Sequence, residues 1–258
     1  MSDAPSQSSP KQPDSPVRVE RDGLVEVITI DRPERRNAVD HATVLALREC
    51  QVAIEAAGPD VRAVVLTGAP PAFSAGADLN GVEAGQFATD LGAVLTGFGA
   101  LSVPVVAAVD GPALGAGTQL AIATDLRVAT ADSVFGIPAA KLGLAVDAWT
   151  LQRLAAEFGA ATARAMLVAA ENVDATALHR TGGVHRIGGL DDAVDWAHRL
   201  ARLAPLTMAA HKLGLEAIAA GHSLDGFAGA REAAWNSADA EEGRTAFLEK
   251  RRPEFRGE

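Results

Sequence analysis

A chain of 258 residues, 48% of them hydrophobic, suffices for one large domain with a sizeable core, or a domain with a small appendage. Its net charge of −10 and pI near 5.1 argue against nucleic acid as a partner, because a phosphate backbone needs a basic field. One cysteine, Cys50, leaves no internal disulfide and no cysteine-built metal centre, and no run is apolar for the length of a membrane span.

No two of the six histidines have metal-ligand spacing, so no metal is expected, and the reducing cytoplasm is the expected location. Residues 1–16 are rich in serine and proline and lack an apolar centre; they read as a disordered tail, not a signal peptide. Residues 17–20 and 24–30 alternate as two strands around the Asp22-Gly23 turn and predict a hairpin. A loop over 31–37 follows, then an amphipathic helix over 41–57 that ends near Gly58-Pro59, with Cys50 packed in it. Residues 63–66 form an apolar strand that leads into a turn at Gly76. Between 80 and 101, Phe87, Leu91, Leu95 and Phe98 fall at helical spacing among five glycines. Each glycine costs a helix about 1 kcal/mol against alanine, so a loose helix is expected.

Residues 105–109 read as a buried strand, 111–117 as a glycine-rich turn, and the chain then becomes helical through Ile122. Small residues let the backbone approach a ligand closely, and the helix start aims unpaired N–H groups and a positive dipole end at it. A P-loop is excluded because Gly117 is followed by Thr118-Gln119, and a dinucleotide fingerprint because position 120 is Leu. The Gly-x-Ser-x-Gly nucleophile elbow is absent. Taken alone, the turn leaves two readings open: tight packing only, or a site for a developing negative oxygen. Residues 126–130 and 133–135 continue the strand theme, 181–187 read as a helix stop and a short strand, and 160–170, 174–181, 190–203, 205–220 and 223–238 carry helical apolar spacing.

Phe73-Ser-Ala-Gly-Ala-Asp-Leu79 and Asp110-Gly-Pro-Ala-Leu-Gly-Ala-Gly117 resemble the two oxyanion-hole segments of the crotonase (enoyl-CoA hydratase/isomerase) superfamily. Arg32-Pro-Glu-Arg-Arg-Asn-Ala38, Phe135-Gly-Ile-Pro138, Lys141-Leu-Gly-Leu144 and Ala246-Phe-Leu-Glu-Lys-Arg251 extend the resemblance from about Val17 to the C-terminus. It implies an α/β crotonase (ClpP-like) fold: a spiral of ββα repeats over 17–200, holding the acyl-CoA site, and a helical trimerisation region over 201–258. The trimer is expected to pair into a hexamer. No covalently bound cofactor is implied; a coenzyme A thioester is the ligand.

The same resemblance places the oxyanion donors at the backbone N–H of Ala77 and Ala116. It places coenzyme A along Arg35, Arg36, Asn37 and Ala38, beside Ala75, Asp78 and Leu79, with Phe247 and Lys250 reaching in from a neighbouring subunit. Each arginine and lysine also reads as an ordinary solvated charge. Phe87, Leu91, Leu95 and Trp149 are expected around the acyl chain; the loose helix is either a pliable wall there or a marginal helix packed by the trimer, and Trp149 suits the core equally.

Hydratases of the family carry glutamates in the first turn after the glycine turn and after the Phe-Gly-x-Pro segment. Those positions hold Gln119 and Ala139. An amide cannot exchange a proton near neutrality and a methyl has none to give. Asp147 stands where isomerase and dehalogenase branches carry an aspartate, and it equally suits an N-cap for a helix from Ala148. These replacements, with residues 142–149 and Ala163-Arg-Ala-Met-Leu, are similar to an actinobacterial branch of enoyl-CoA hydratase-like proteins that bind fatty acyl-CoA without hydratase activity and hand acyl chains to type II fatty-acid synthesis for mycolic acids. Three readings follow: an acyl-CoA carrier, possible through an intact oxyanion hole; an isomerase or slow hydratase using Asp147; or a structural subunit with an unused pocket.

Overall fold

The computed structural model of the protein describes residues 15–78 and 84–258. Residues 1–14 of the tail expected over 1–16, Leu79, and residues 80–83 of the glycine-bearing stretch lie outside them.

Strand β1 (Val17–Asp22) turns at Gly23 into β2 (Val25–Ile30), the hairpin that the Asp-Gly turn predicts. Helix α1 (His41–Ala57) starts where Asp40 accepts the Thr43 N–H at 2.8 Å, and it crosses to β3 (Ala63–Gly68). Helix α2 (Ala84–Ala100) then crosses to β4 (Val105–Val109). Next come β5 (Pro112–Leu114), α3 (Ala116–Ala123), β6 (Leu126–Ala129) and β7 (Val134–Gly136). The remainder is α4 (Ala148–Phe158), α5 (Ala160–Val168), β8 (Val173–Asp174), α6 (Ala175–Thr181), β9 (Arg186–Ile187), α7 (Leu190–Leu200), α8 (Pro205–Ala220), α9 (Asp225–Trp235) and α10 (Ala238–Glu249).

The main sheet runs β1-β2-β3-β4-β6-β9, parallel except for the opening hairpin, and a smaller sheet runs β5-β7-β8. This succession of strands with helical returns gives the ββα spiral of the crotonase fold. Period-two alternation sorts the buried strands onto two faces. Ile28, Ile30, Val64, Leu66, Val105 and Ala107 face α1 and α2 in the larger core. Val25, Val27, Ala63, Val65, Val106 and Ala108 face Ala193, Ala197 and Ala201 of α7 and the turn after it; these small side chains let the helix lie close.

Helix α2 is one regular run of 17 residues despite its glycines. Two of them make room for neighbours: a methyl on Gly97 would strike the Gln51 amide, and one on Gly99 would lie 2.7 Å from Glu216 Oε2. Gly85 and Gly92 meet nothing and leave open space. Three helix ends differ from the sequence expectation, one of them at Leu200, where the helix expected over 190–203 stops. The helix expected over 160–170 stops at Val168, and Ala170 turns left-handed at φ 52. The helix expected over 223–238 ends at Trp235, and Ser237 caps a new helix, α10, by accepting the Ala240 N–H at 3.1 Å. A serine followed by Asp239 and Glu241 in the first turn is the signal that marks this restart.

Candidate functional site

Three backbone segments lie side by side at the C-terminal ends of the parallel strands. Ser74 bridges Ala113, with its N–H donating to Pro112 O (3.0 Å) and its carbonyl accepting from Leu114 N (2.9 Å). Val39 bridges Ala77: its N–H donates to Gly76 O at 2.7 Å and its carbonyl accepts from Asp78 N at 2.8 Å. Ala75 N–H donates to Arg36 O at 2.9 Å. The segments cross at glycines because nothing larger fits: a methyl on Gly76 would lie 3.0 Å from Leu114 O and one on Gly117 2.5 Å from Ser74 O. Gly76 (φ 109) and Gly115 (φ 51) also hold left-handed backbone.

This crossing turns two donors outward. The bridge uses the Gly76 carbonyl and the Asp78 N–H on either side of Ala77, so the N–H of Ala77 itself points away from Val39. Ala116 opens α3, whose first internal bond is Gln119 N to Gly115 O at 3.0 Å. Neither the Ala77 N–H nor the Ala116 N–H has a partner among the described residues. Both residues line one cavity of about 450 Å³, together with Phe87, Leu91, Ile137 and Leu144. The far end of α3 is held by two buried arginines. Arg127 donates to Thr124 O (3.0 Å) and Ala121 O (3.3 Å), and Arg153 Nε to Ile122 O (2.8 Å). Cations at the C-terminus and a ligand oxygen at the N-terminus both suit the helix dipole.

Among the described residues, two side chains of hydrogen-bonding type line the cavity, Gln119 and Asp147, and they are joined. Gln119 Nε2 donates to Thr150 Oγ1 at 2.7 Å, and the Thr150 hydroxyl donates to Asp147 Oδ2 at 3.1 Å. Asp147 Oδ1 accepts the Thr150 N–H at 2.8 Å, which makes the aspartate the N-cap of α4.

A model of the family described as enoyl-CoA hydratase/isomerase matches residues 20–258. The chain belongs to that family. It is 43% identical over 239 residues to the protein named probable enoyl-CoA hydratase echA6 of Mycobacterium bovis, covering 89% of this chain and 95% of that one. It is 33% identical over 252 residues to the 2,3-dehydroadipyl-CoA hydratase of Escherichia coli, covering 93% and 98%. Among solved structures it superposes on the enoyl-CoA hydratase EchA1 of Mycobacterium marinum with a TM-score of 0.81, at 33% identity and 95% and 100% coverage. Pseudomonas aeruginosa DspI gives 0.87 at 29% identity, with 97% and 100% coverage.

Within this family member, Gln119 and Ala139 both line the cavity beside Ala77 and Ala116, so the two positions at which the resemblance leads one to expect glutamates face the same space. Phe87, Leu91 and Ala75 line it too. Leu95 does not: one turn further along α2, it is buried in the core. Trp149 is half-buried against that core and is not in the cavity wall.

Asn37 is tied into the chain by its side chain. Its side chain is wholly buried and committed within the chain: Oδ1 accepts from Arg32 N (2.9 Å), and Nδ2 donates to Ala69 O and Ala72 O (both 2.6 Å). The amide therefore shapes the loop, and it steadies two left-handed residues, Arg36 (φ 50) and Asn37 (φ 56). Arg35 and Arg36 are exposed beside it. Ala38 O accepts from Arg32, whose guanidinium also meets Asp40 at 2.9 Å and Asp78 at 3.5 Å. Phe247 (82% exposed) and Lys250 stand on and just after α10, and the single chain does not bring them to the cavity. No described helix is long and apolar enough to cross a membrane.

Sequence reasoning missed Thr150, Arg127 and Arg153. The signal for Arg127 was available, as an arginine inside the otherwise apolar Leu126–Ala129 strand. Thr150 carries none beyond standing three residues after a capping aspartate.

Proposed function

We propose that this protein binds fatty acyl-CoA thioesters without hydrating them efficiently, and that it delivers acyl chains to type II fatty-acid synthesis, including the synthesis of mycolic acids. The observation that carries the reading is the cavity wall: two backbone N–H donors without partners among the described residues, and an amide and a methyl at positions 119 and 139. The thioester carbonyl would accept from Ala77 and Ala116, and a donor of this kind is worth on the order of 100- to 1000-fold in rate where negative charge develops. Hydration also needs a base for water and an acid for the α-carbon. Losing one such group typically removes roughly 100- to 10,000-fold.

Coenzyme A would lie along the 35–38 loop, with Arg35 and Arg36 toward its phosphates. Phe247 and Lys250 would approach from a neighbouring subunit of a trimer, itself paired into a hexamer; the exposure of Phe247 and Leu248 supports a covered α10. The word hydratase in the relatives' names belongs to them, because a shared fold does not fix an activity. The mycobacterial source of a 43% identical relative supports the link to mycolic acids.

An isomerase using Asp147 is the second reading, favoured by the carboxylate in the cavity wall. Against it, both carboxylate oxygens already accept from Thr150. The test is calorimetric titration with octanoyl-CoA alongside loss of enoyl-thioester absorbance from crotonyl-CoA. Saturable binding without turnover supports the carrier. Turnover abolished by Asp147→Asn supports the enzyme, and no binding supports a structural subunit.

A further inference from the structure

Helix α10 has little hold on the rest of its own chain. Of its residues only Asp239 and Ala246 are buried, and Phe247 and Leu248 are almost fully exposed. Most helical stability in proteins comes from a packed face, so a helix buried this sparsely does not fix its own angle. The residues after it do. Lys250 takes left-handed backbone at φ 56 and the Arg251 N–H donates to Ala246 O at 3.0 Å, a reversal that sends residues 251–258 back along the helix. Left-handed backbone costs a lysine about 1 kcal/mol, so contacts beyond the turn must hold it.

The returning residues are fastened at three places. The buried Asp239 carboxylate accepts the Arg256 N–H at 2.7 Å and the Gly257 N–H at 2.8 Å. Glu242 accepts the Glu254 N–H at 2.8 Å and both ends of the Arg251 guanidinium, at 2.5 and 2.7 Å. Arg251 first, then that N–H, hold the Glu242 carboxyl down to about 2, so this fastening stays ionised around neutrality. From the turn before β3, Arg62 Nη1 donates to Phe255 O at 2.6 Å. Phe255 lies on Gly243 of α10, where a methyl would stand 3.4 Å from the ring, and Gly257 lies against Pro205 at the start of α8. One short segment therefore joins α10 to the spiral and to α8, and Phe255 and Phe247 wall the same groove of about 680 Å³.

Resting on the reading above, in which α10 reaches coenzyme A bound by a neighbouring subunit, we propose that residues 251–258 are a strap that sets α10 for that contact. Asp239, Glu242 and Arg62 are positioning residues: they hold the strap and touch no ligand. With the strap fastened, Phe247 and Lys250 stand on a braced arm, ordered before a ligand arrives. With it released, every contact made through the arm must first overcome the entropy of ordering the helix. The nucleotide end of the ligand loses by this. The thioester end, held by the spiral, does not.

The test compares calorimetric Kd values for octanoyl-CoA and S-octanoylpantetheine, the same thioester without the nucleotide. The natural full chain is set against Asp239→Asn and against Arg62→Met combined with Phe255→Ala, which leaves α10 itself unaltered. Both variants should bind octanoyl-CoA roughly three- to tenfold more weakly and S-octanoylpantetheine as before. Trypsin should also cut both faster after Arg251 and Arg256. A role in stability alone would lower the melting temperature and leave the ratio of the two Kd values where it was. An unchanged ratio, no preference for octanoyl-CoA in the natural protein, or unaltered resistance to trypsin would overturn the strap. Absence of binding of both thioesters to the natural protein would instead remove the acyl-CoA reading beneath it.

Discussion

Two amides near the cavity have opposite fates, and hydrogen-bond supply separates them. Asn37 satisfies three backbone groups at once and is wholly buried. Gln119 spends only its nitrogen on Thr150. A sequence names both residues equally well; it cannot say which polar atoms the fold consumes. The oxyanion donors are more legible, because they belong to the main chain and need only the glycine turns that position them. Proline at Ala116 tests this at the residue scale. It suits the first helical position and removes only the N–H, and Gly115 before it has no Cβ to clash. Ala116→Pro should keep the melting temperature within a few degrees while weakening octanoyl-CoA binding by roughly tenfold in a calorimetric titration. Unchanged affinity would remove Ala116 from the site.

Helices α3 and α8 are held by buried cations whose carriers look unremarkable in the sequence. Lys212, in the middle of α8, is only 8% exposed; its ammonium donates to Phe98 O (2.9 Å), Val103 O (3.0 Å) and Asp125 Oδ2 (2.8 Å). One side chain thus ties the C-terminal helices to the end of α2, the loop before β4 and the loop after α3. Arg153 adds a second tie to α8 through Glu216 at 2.7 Å. Removing one partner of such a buried pair leaves a charge and two carbonyls uncompensated. Lys212→Met should cost about 3 to 5 kcal/mol in urea unfolding, whereas a surface lysine costs about 0.5 or less. Strands and helices were readable from their apolar periods because burial acts on many residues together. Short strands such as Val173–Asp174 were not: two residues carry no period, and their pairing with β7 exists only in the assembled fold.

For the molecule as a whole, the junction of β6 and β9 predicts a pH response. His185 Nδ1 accepts the Arg127 N–H at 3.1 Å, so the ring must be unprotonated there. Burial first, then the nearby charges of Arg127 and Arg186, press its pKa from 6.5 to about 4. Between those values the unfolded chain binds a proton that the folded chain refuses. This contribution to stability is full above pH 6.5 and is lost as pH falls toward 4. His185→Asn, which retains an acceptor, should flatten that part of the melting-temperature profile relative to the natural protein. An unchanged slope would contradict the assignment. The family and the spiral were legible from six short segments in order, since most of them mark a turn or cavity wall that the fold requires. Which faces are covered in an assembly was not, because an exposed Phe247 reads the same on a free surface and on an interface.

The central claim is a thioester cradle separated from proton transfer, and the most direct measurement takes both halves on one preparation. Octanoyl-CoA is titrated calorimetrically while crotonyl-CoA hydration is followed by loss of enoyl-thioester absorbance, for the natural protein and for Gln119→Glu combined with Ala139→Glu. Saturable binding to both proteins is predicted, with hydration undetectable in the first and raised at least roughly 100-fold in the second. Efficient hydration by the natural protein would contradict the account.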